Sequence, residues 1–100
     1  MRTLIADEFM TLDGVVQAPG HDGEDDDGGF RHGGWHRHHM DASVIEWVTR
    51  TTLETGAFLF GRRTYENFAS FWPTAPAEVA TLAEALNGRP KHVASKTLTA

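Results

Sequence analysis

The sequence predicts a mixed α/β fold in which a parallel sheet carries helices on both faces. A short, wholly apolar run covers residues 57–60, as expected of a strand that is buried on both faces. Apolar residues then recur with the period of a helix at Val79, Leu82, Ala83 and Leu86. Strand and helix signals alternate along the chain, and that order builds parallel sheets whose connections are helical.

The N-terminal part predicts one strand followed by a long connection. Residues 4–10 read as a first strand that ends before the turn-prone residues 11–14. Residues 18–39 hold six of the ten glycines and five of the six histidines, without helix or strand periodicity. A connection of this length and composition indicates a functional loop or disorder.

The middle of the chain predicts a helix and then the apolar strand. Asp41 is suited to cap a helix over residues 42–55, and Gly56 ends it. Its buried stripe is expected to comprise Val44, Ile45 and Val48. The strand over residues 57–60 follows directly.

Two further helices and a third strand complete the prediction. An amphipathic helix follows the turn at residues 61–64 and stops at Pro73. The next helix has Pro76 in its first turn and ends at Gly88. Residues 91–95 read as the third strand, and residues 96–99 as the turn after it.

Composition limits the functional classes. The chain has 100 residues, a formal net charge of −5 and no cysteine, so it predicts one domain without disulfides or thiolate metal sites. The acidic balance disfavours a nucleic-acid partner. No stretch has membrane-spanning length and the N-terminus carries no signal-peptide pattern, so we expect no membrane partner and a cytoplasmic protein.

The junction after the apolar strand indicates an anion site. Unpaired backbone N–H groups at a helix start attract anions, and basic side chains strengthen that attraction. The residues concerned are Gly61, Arg62, Arg63 and Thr64. Ser95, Lys96 and Thr97 follow the next strand, and the carboxyl ends of parallel strands share one crevice with the preceding loop. The alternative is an ordinary strand–helix junction whose arginines face water.

Four segments resemble the dihydrofolate reductase superfamily, namely residues 11–14, 33–35, 59–65 and 91–98. The most similar branch is the reductase domain of the bifunctional deaminase-reductase of riboflavin biosynthesis, with its stand-alone bacterial relatives. Family members continue well past residue 100. The resemblance therefore implies the N-terminal half of a dihydrofolate-reductase-like sheet, truncated after its third strand.

The resemblance implies an NADPH-dependent oxidoreductase acting on a pteridine-like or 5-amino-6-(ribosylamino)uracil-type small molecule. It assigns the cofactor phosphates to Gly61, Arg62, Arg63 and Thr64. It also implies that Ser95, Lys96 and Thr97 contact the cofactor on the side of the adenosine 2′-phosphate. Residues 13–35 correspond to a mobile cover over the nicotinamide and substrate, and the relatives suggest a homodimer.

Three residues are candidates for the chemistry. Asp41 is the catalytic candidate, as a proton donor or substrate ligand, and its alternative role is a helix cap. Asp13 and Trp35 are candidates for binding substrate. The alternatives are an ordinary Asp-Gly turn for Asp13 and a hydrophobic anchor for Trp35.

Two other functions remain open from the sequence. One is a non-catalytic module that keeps only the nucleotide pocket. The other is a metal site in the histidine-rich loop, because neutral imidazoles bind zinc, copper and nickel. The residues concerned are His32, His36, His38 and His39. Their spacing disfavours a common ligand set, because adjacent side chains on a helix point apart, and the prediction is that no metal is bound.

Overall fold

α-Helices and strands are found from Ala42 onward. The computed structural model describes residues 2–97, which divide into two compact units, the first reaching Asp41 and the second starting at Ala42. The predicted α/β class is confirmed for the second unit, which contains three α-helices and a two-stranded parallel sheet. None of the helices within residues 2–97 has the length and apolar character needed to cross a membrane.

The second unit follows the order that the sequence predicts from residue 42. Its elements are α1 (Ala42–Glu54), β1 (Phe58–Gly61), α2 (Arg62–Phe71), α3 (Ala80–Gly88) and β2 (Lys91–Ala94). Two short 3-10 turns, Trp72–Thr74 and Ala77–Val79, connect α2 to α3. Pro73 lies where the sequence predicts the end of α2, because proline lacks the N–H that a helix interior needs. Pro76, predicted in the first turn of the next helix, instead precedes the 3-10 turn, and α3 begins four residues later at Ala80.

Strands β1 and β2 pair in parallel, as predicted. Phe58 lies beside Lys91 and Gly61 beside Ala94, so the two strands begin and end together. Their carboxyl ends therefore adjoin, and the segments that leave them are neighbours. Lys96 and Thr97 of the predicted turn form a bend, whereas Leu98 and Thr99 lie outside the described residues.

The sheet is covered on one face, which corrects the prediction of helices on both faces. Phe58 and Phe60 are half-buried, and the ring of Phe60 meets Phe68 of α2. Leu59 points to the opposite face and is 63% exposed. The apolar run over residues 57–60 is thus not a doubly buried strand, because α1 packs on α3 instead of on the sheet.

The core of the second unit lies along α3. Its buried residues are Leu82, Ala83, Ala85 and Leu86. Helix α1 contributes Val44 and Val48, both half-buried, whereas Ile45 is exposed and does not belong to the stripe predicted for it. The guanidinium of Arg89 donates a hydrogen bond to the carbonyl oxygen of Thr52, which ties the C-terminal part of α1 to the end of α3.

The strand predicted over residues 4–10 is wrong, since these residues form neither strand nor helix. Leu4 and Ile5 are 84% and 78% exposed. Neighbouring residues of a strand point to opposite faces, so this pair cannot share one buried face, and Asp7 and Glu8 interrupt the apolar run. Without a buried face or a pairing strand, an extended segment has little stabilisation.

The histidine-rich loop of the first unit has its own internal order. It contains two short 3-10 turns, Asp27–Gly29 and Trp35–His39. The backbone N–H of Gly34 donates to the carbonyl oxygen of Ala18 at 2.8 Å, and Ala18 is buried. The side-chain amide of Gln17 donates to the carbonyl oxygens of Asp25 and Asp27. These bonds close the loop on itself, so the alternative of a purely disordered connection does not describe it.

Candidate functional site

The first part of the candidate site is the arginine turn, residues 61–64, where β1 passes directly into α2. Gly61 is the last residue of the strand and precedes the helix in extended conformation, with φ −71° and ψ 164°. Any residue adopts these angles, so the glycine is not required by the backbone. Packing does not require it either, because a Cβ at this position would have no neighbour within 4 Å.

The second part is the serine turn, residues 95–97, which follows β2. The backbone N–H of Thr97 donates to Oγ of Ser95 at 3.2 Å, which folds the segment into a tight bend. Ser95, Lys96 and Thr97 are all exposed. The bend presents hydroxyl groups and one ammonium group to solvent at the carboxyl end of the sheet.

Arg62 joins the two turns. Its Nη1 donates to Oγ1 of Thr97 at 3.2 Å, across 35 residues of sequence. The bond places a guanidinium from the start of α2 directly on the bend after β2. The structure therefore brings together two of the three segments that the sequence assigns to one crevice.

The charges at this edge favour an anion. Arg62, Arg63 and Lys96 lie in the two turns, and Arg63 and Thr64 are exposed on the first turn of α2. One carboxylate opposes them. Glu66 Oε1 lies 3.8 Å from Nε of Arg62, one helical turn further along. A phosphate placed here would meet fixed donors, a helix N-terminus and a net positive charge.

Sequence analysis missed Glu66, although a rule of helix geometry would have found it. Residues four apart on a helix are neighbours, so an arginine at position 62 and a glutamate at position 66 are expected to pair. The site therefore includes an acidic member that the cationic pattern alone does not suggest.

The site is an open edge and not a cavity. Two clefts of the second unit, with volumes of about 290 and 200 Å³, are lined by other residues. The larger is lined by Leu53, Thr81, Glu84, Ala85 and Arg89. The smaller is lined by eight residues, namely Tyr65, Phe68, Ala69, Trp72, Pro73, Leu86, Asn87 and Lys91. Neither is lined by the arginine turn or the serine turn.

Asp13 lies in a hydrogen-bonded turn of the first unit. The N–H of Gly14 donates to the carbonyl oxygen of Thr11 at 3.0 Å, and the hydroxyl of Thr11 donates to the carboxylate of Asp13. This hydroxyl, followed by the backbone N–H of Asp13, holds the pKa of Asp13 below its usual value of 3.8. The carboxylate is exposed and ionised at neutral pH, as either substrate binding or turn formation requires.

Trp35 holds the loop of the first unit together. Its indole N–H donates to the carbonyl oxygen of Gln17 at 2.9 Å, and its ring is half-buried against the edge of His36. This geometry matches the anchoring alternative. Asp41, the catalytic candidate, is exposed and directly precedes α1, at the position of a helix cap.

The loop histidines make separate contacts. The ring of His36 stacks on Phe9 with centroids 3.9 Å apart, whereas His32 meets Phe30 edge to face. Burial, followed by the nearby charge of His39, lowers the pKa of His36 below 6.5. In the part of the chain that the structure describes, no three histidine, aspartate or glutamate side chains gather as a metal site.

Comparison with known proteins adds no family assignment. No protein-family model matches the chain, and no curated protein has a significantly similar sequence.

Proposed function

We propose that the chain binds NADPH at the edge formed by the arginine and serine turns and serves a reductase of the dihydrofolate reductase superfamily. The observation that carries this proposal is the hydrogen bond from Arg62 to Thr97. It couples a helix N-terminus after one parallel strand to a hydroxyl-rich bend after the next. Ligands of parallel sheets bind at this end of the strands.

The donor set fits the phosphates of NADPH better than those of NADH. NADPH carries an extra 2′-phosphate, and arginine, lysine and hydroxyl groups are its natural partners. Arg62 donates to the hydroxyl of Thr97, and the backbone N–H of Thr97 donates to the hydroxyl of Ser95, with Lys96 between them in the chain. We assign the 2′-phosphate to this group and the remaining phosphates to the start of α2.

When bound, NADPH would supply the hydride for reduction of a pteridine-like or ribosylaminouracil-type ring. The chain's own residues then need to bind the cofactor, orient the substrate and supply a proton. Asp41 remains the proposed catalytic acid, and Asp13 the proposed substrate ligand. For Trp35, the bond to Gln17 supports a role in shaping the loop that would cover the substrate.

Nucleotide titration tests this proposal. Purified protein is titrated with NADPH and with NADH while the fluorescence of Trp35, Trp47 and Trp72 is recorded. We expect saturable binding of NADPH that is at least about tenfold tighter than that of NADH, the equivalent of about 1.4 kcal/mol. Arg62→Ala abolishes the preference, whereas Arg50→Ala, a matched change on the exposed surface of α1, leaves it intact. If neither NADPH nor NADH changes the fluorescence, the proposal is rejected.

The open form of the site favours a second candidate, a nucleotide-binding module without reductase activity. Residues 61–64 and 95–97 are all exposed, and none of them lines either of the two clefts described above. Incubation of the NADPH-loaded protein with pterins and aminopyrimidines separates the two functions. Consumption of NADPH at 340 nm supports the reductase, whereas binding without consumption supports the module.

A further inference from the structure

The smaller cleft of the second unit combines aromatic walls with a buried aliphatic side chain. Tyr65, Phe68 and Ala69 of α2 line it, and Trp72 follows at the next turn of the same helix face, because residues three and four apart are neighbours. The rings of Phe68 and Trp72 meet edge to face, with centroids 6.1 Å apart. Leu86 of α3, which is 6% exposed, also lines the cleft. A ligand in this cleft would therefore contact three aromatic rings and one leucine.

Lys91, the first residue of β2, brings an ammonium group to the same cleft. Its Nζ donates to the carbonyl oxygens of Asn87 at 3.3 Å and of Arg89 at 3.0 Å. The side-chain amide of Asn87 in turn donates to the carbonyl oxygen of Trp72 at 3.0 Å, which joins the α3 side of the cleft to the α2 side. An ammonium has three N–H groups, so these bonds hold Lys91 in place and leave one N–H for a further acceptor.

The charge of this ammonium has no anionic partner in the described part of the chain. Lys91 is half-buried, and among residues 2–97 no carboxylate lies within ion-pair distance of its Nζ. None of the residues that line the cleft is acidic. Carbonyl oxygens satisfy hydrogen bonds but carry no net charge, so a carboxylate would interact with this group more strongly than a neutral acceptor would. The cleft is thus complementary to an anion with an apolar, planar part.

The volume of the cleft limits the size of that ligand. Pockets for drug-sized molecules typically measure about 300–1,000 Å³. At about 200 Å³, this cleft suits a molecule with a single ring. An aromatic ring packs well against other aromatic rings in offset or edge-to-face geometry, whereas a carboxylate on the ring would reach toward the ammonium.

We propose that the cleft binds a small aromatic carboxylate, whose ring packs on the aromatic residues of α2 and whose carboxylate accepts a hydrogen bond from Lys91. This site is separate from the proposed NADPH site. Lys91 begins β2, whereas the serine turn follows the other end of that strand. None of residues 61–64 or 95–97 lines the cleft.

Three probes separate the contribution of the ring from that of the charge. Benzoate has both, benzamide has the ring without the charge, and acetate has the charge without the ring. Each is titrated into the purified protein while ¹H–¹⁵N NMR follows the indole N–H of Trp72, identified by its loss in Trp72→Phe. We expect benzoate to shift this signal saturably, with a dissociation constant on the order of 1 mM, as for a small ligand in an open cleft. Benzamide and acetate should bind at least about threefold more weakly.

A change of charge tests the role of Lys91. Lys91→Gln should raise the dissociation constant of benzoate about three- to tenfold, because a charge-assisted hydrogen bond is lost. Benzamide binding should stay within about twofold of the wild type, which also shows that the cleft persists in the variant. Lys96→Gln removes an exposed ammonium that does not line the cleft, and it should leave benzoate binding unchanged.

A change of volume tests the position of the ring. Ala69 is exposed and lines the cleft, so Ala69→Leu fills space without removing a core side chain. It should weaken benzoate and benzamide alike. Ser70→Leu is the matched change at an exposed position of α2 outside the cleft, and it should weaken neither. Far-UV circular dichroism checks that α2 persists in each variant.

Several results would overturn the proposal. They are the absence of saturable benzoate binding, equal binding of benzoate and benzamide by the wild type, and benzoate binding that either Lys91→Gln or Ala69→Leu leaves unchanged. Displacement of benzoate by NADPH would also overturn it, because the ligand would then occupy the arginine and serine turns. If the protein binds benzoate as expected but no NADPH, the proposed function fails and the aromatic carboxylate site stands.

Discussion

The rings of Phe60 and Phe68 meet edge to face, with centroids 5.0 Å apart and planes inclined by 61°. Phe60 belongs to β1 and Phe68 to α2, so this contact seats the helix on the covered face of the sheet. Because Arg62 begins the same helix, the ring pair also sets the position of the Arg62 backbone relative to the sheet. The aromatic packing and the position of the arginine turn are therefore consequences of one strand–helix unit.

Truncation of Phe68 should destabilise the second unit. Full burial of a phenylalanine is worth about 3–5 kcal/mol on truncation to alanine, and the half-buried ring of Phe68 should cost about 1–3 kcal/mol. Urea unfolding followed by circular dichroism measures the loss. Phe71→Ala, at a more exposed position of α2, is the matched control and should cost less. Equal losses in the two variants would contradict the importance of the Phe60–Phe68 contact.

Local signals explain what the sequence predicted correctly. The end of α2 before Pro73 and the end of α3 at Gly88 follow from backbone chemistry that acts within a few residues. The predicted start of α3 was early, because Pro76 precedes the 3-10 turn Ala77–Val79 and the α-helix begins at Ala80. The apolar period of α3 coincides with its buried face, where Leu86 is 6% exposed. Strands β1 and β2 are separated by helices, and that order correctly predicts parallel pairing.

Features that depend on contacts between distant residues were not predictable in the same way. Whether the apolar run of β1 is covered on one face or two depends on where α1 packs, which its own sequence does not specify. The bond between Trp35 and Gln17 joins positions 18 residues apart and leaves no local signature. Residues 4–10 show the limit of composition, since apolar residues without a consistent face did not form a strand.

The hydroxyl of Thr97 should contribute to nucleotide binding through its hydrogen bond with Arg62. Thr97→Val keeps the shape of the side chain but removes the acceptor for Arg62, so the guanidinium loses its hydrogen bond to the serine turn. An exposed hydrogen bond to a charged group suggests a loss of about 0.5–1.5 kcal/mol, or roughly a 2- to 13-fold rise in the dissociation constant for NADPH. Isothermal titration calorimetry measures it. Thr97→Ser retains the hydroxyl and should bind NADPH with the affinity of the wild type. An unchanged affinity in Thr97→Val would show that this hydrogen bond does not contribute to NADPH binding.

The turn at Thr11 and Asp13 predicts a pH dependence in the acid range. The folded pKa of Asp13 lies below its usual 3.8, so the carboxylate stabilises the turn above that value and loses this contribution as the pH falls through the folded pKa. Thr11→Val removes the main donor and should raise the pKa of Asp13 toward 3.8. Thr11→Ser should keep it low. A ¹³C NMR titration of the Asp13 carboxyl carbon measures both values, and identical titrations in the two variants would contradict the role of the hydroxyl.

His36 predicts a second pH dependence, near neutrality. Its folded pKa is lowered below 6.5, chiefly by burial and secondarily by His39. The unfolded chain therefore binds more protons between the two pKa values, so the contribution of His36 to stability is complete above 6.5 and is lost as the pH falls through the folded pKa. Phe9→Ala removes the ring that stacks on His36 and so exposes the imidazole to water. Because burial is the larger cause of the lowered pKa, this variant should raise the pKa of His36 more than His39→Gln does. ¹H NMR titration of the Cε1 proton of His36 provides the comparison. A larger rise in His39→Gln than in Phe9→Ala would show that charge repulsion, and not burial against Phe9, controls this histidine.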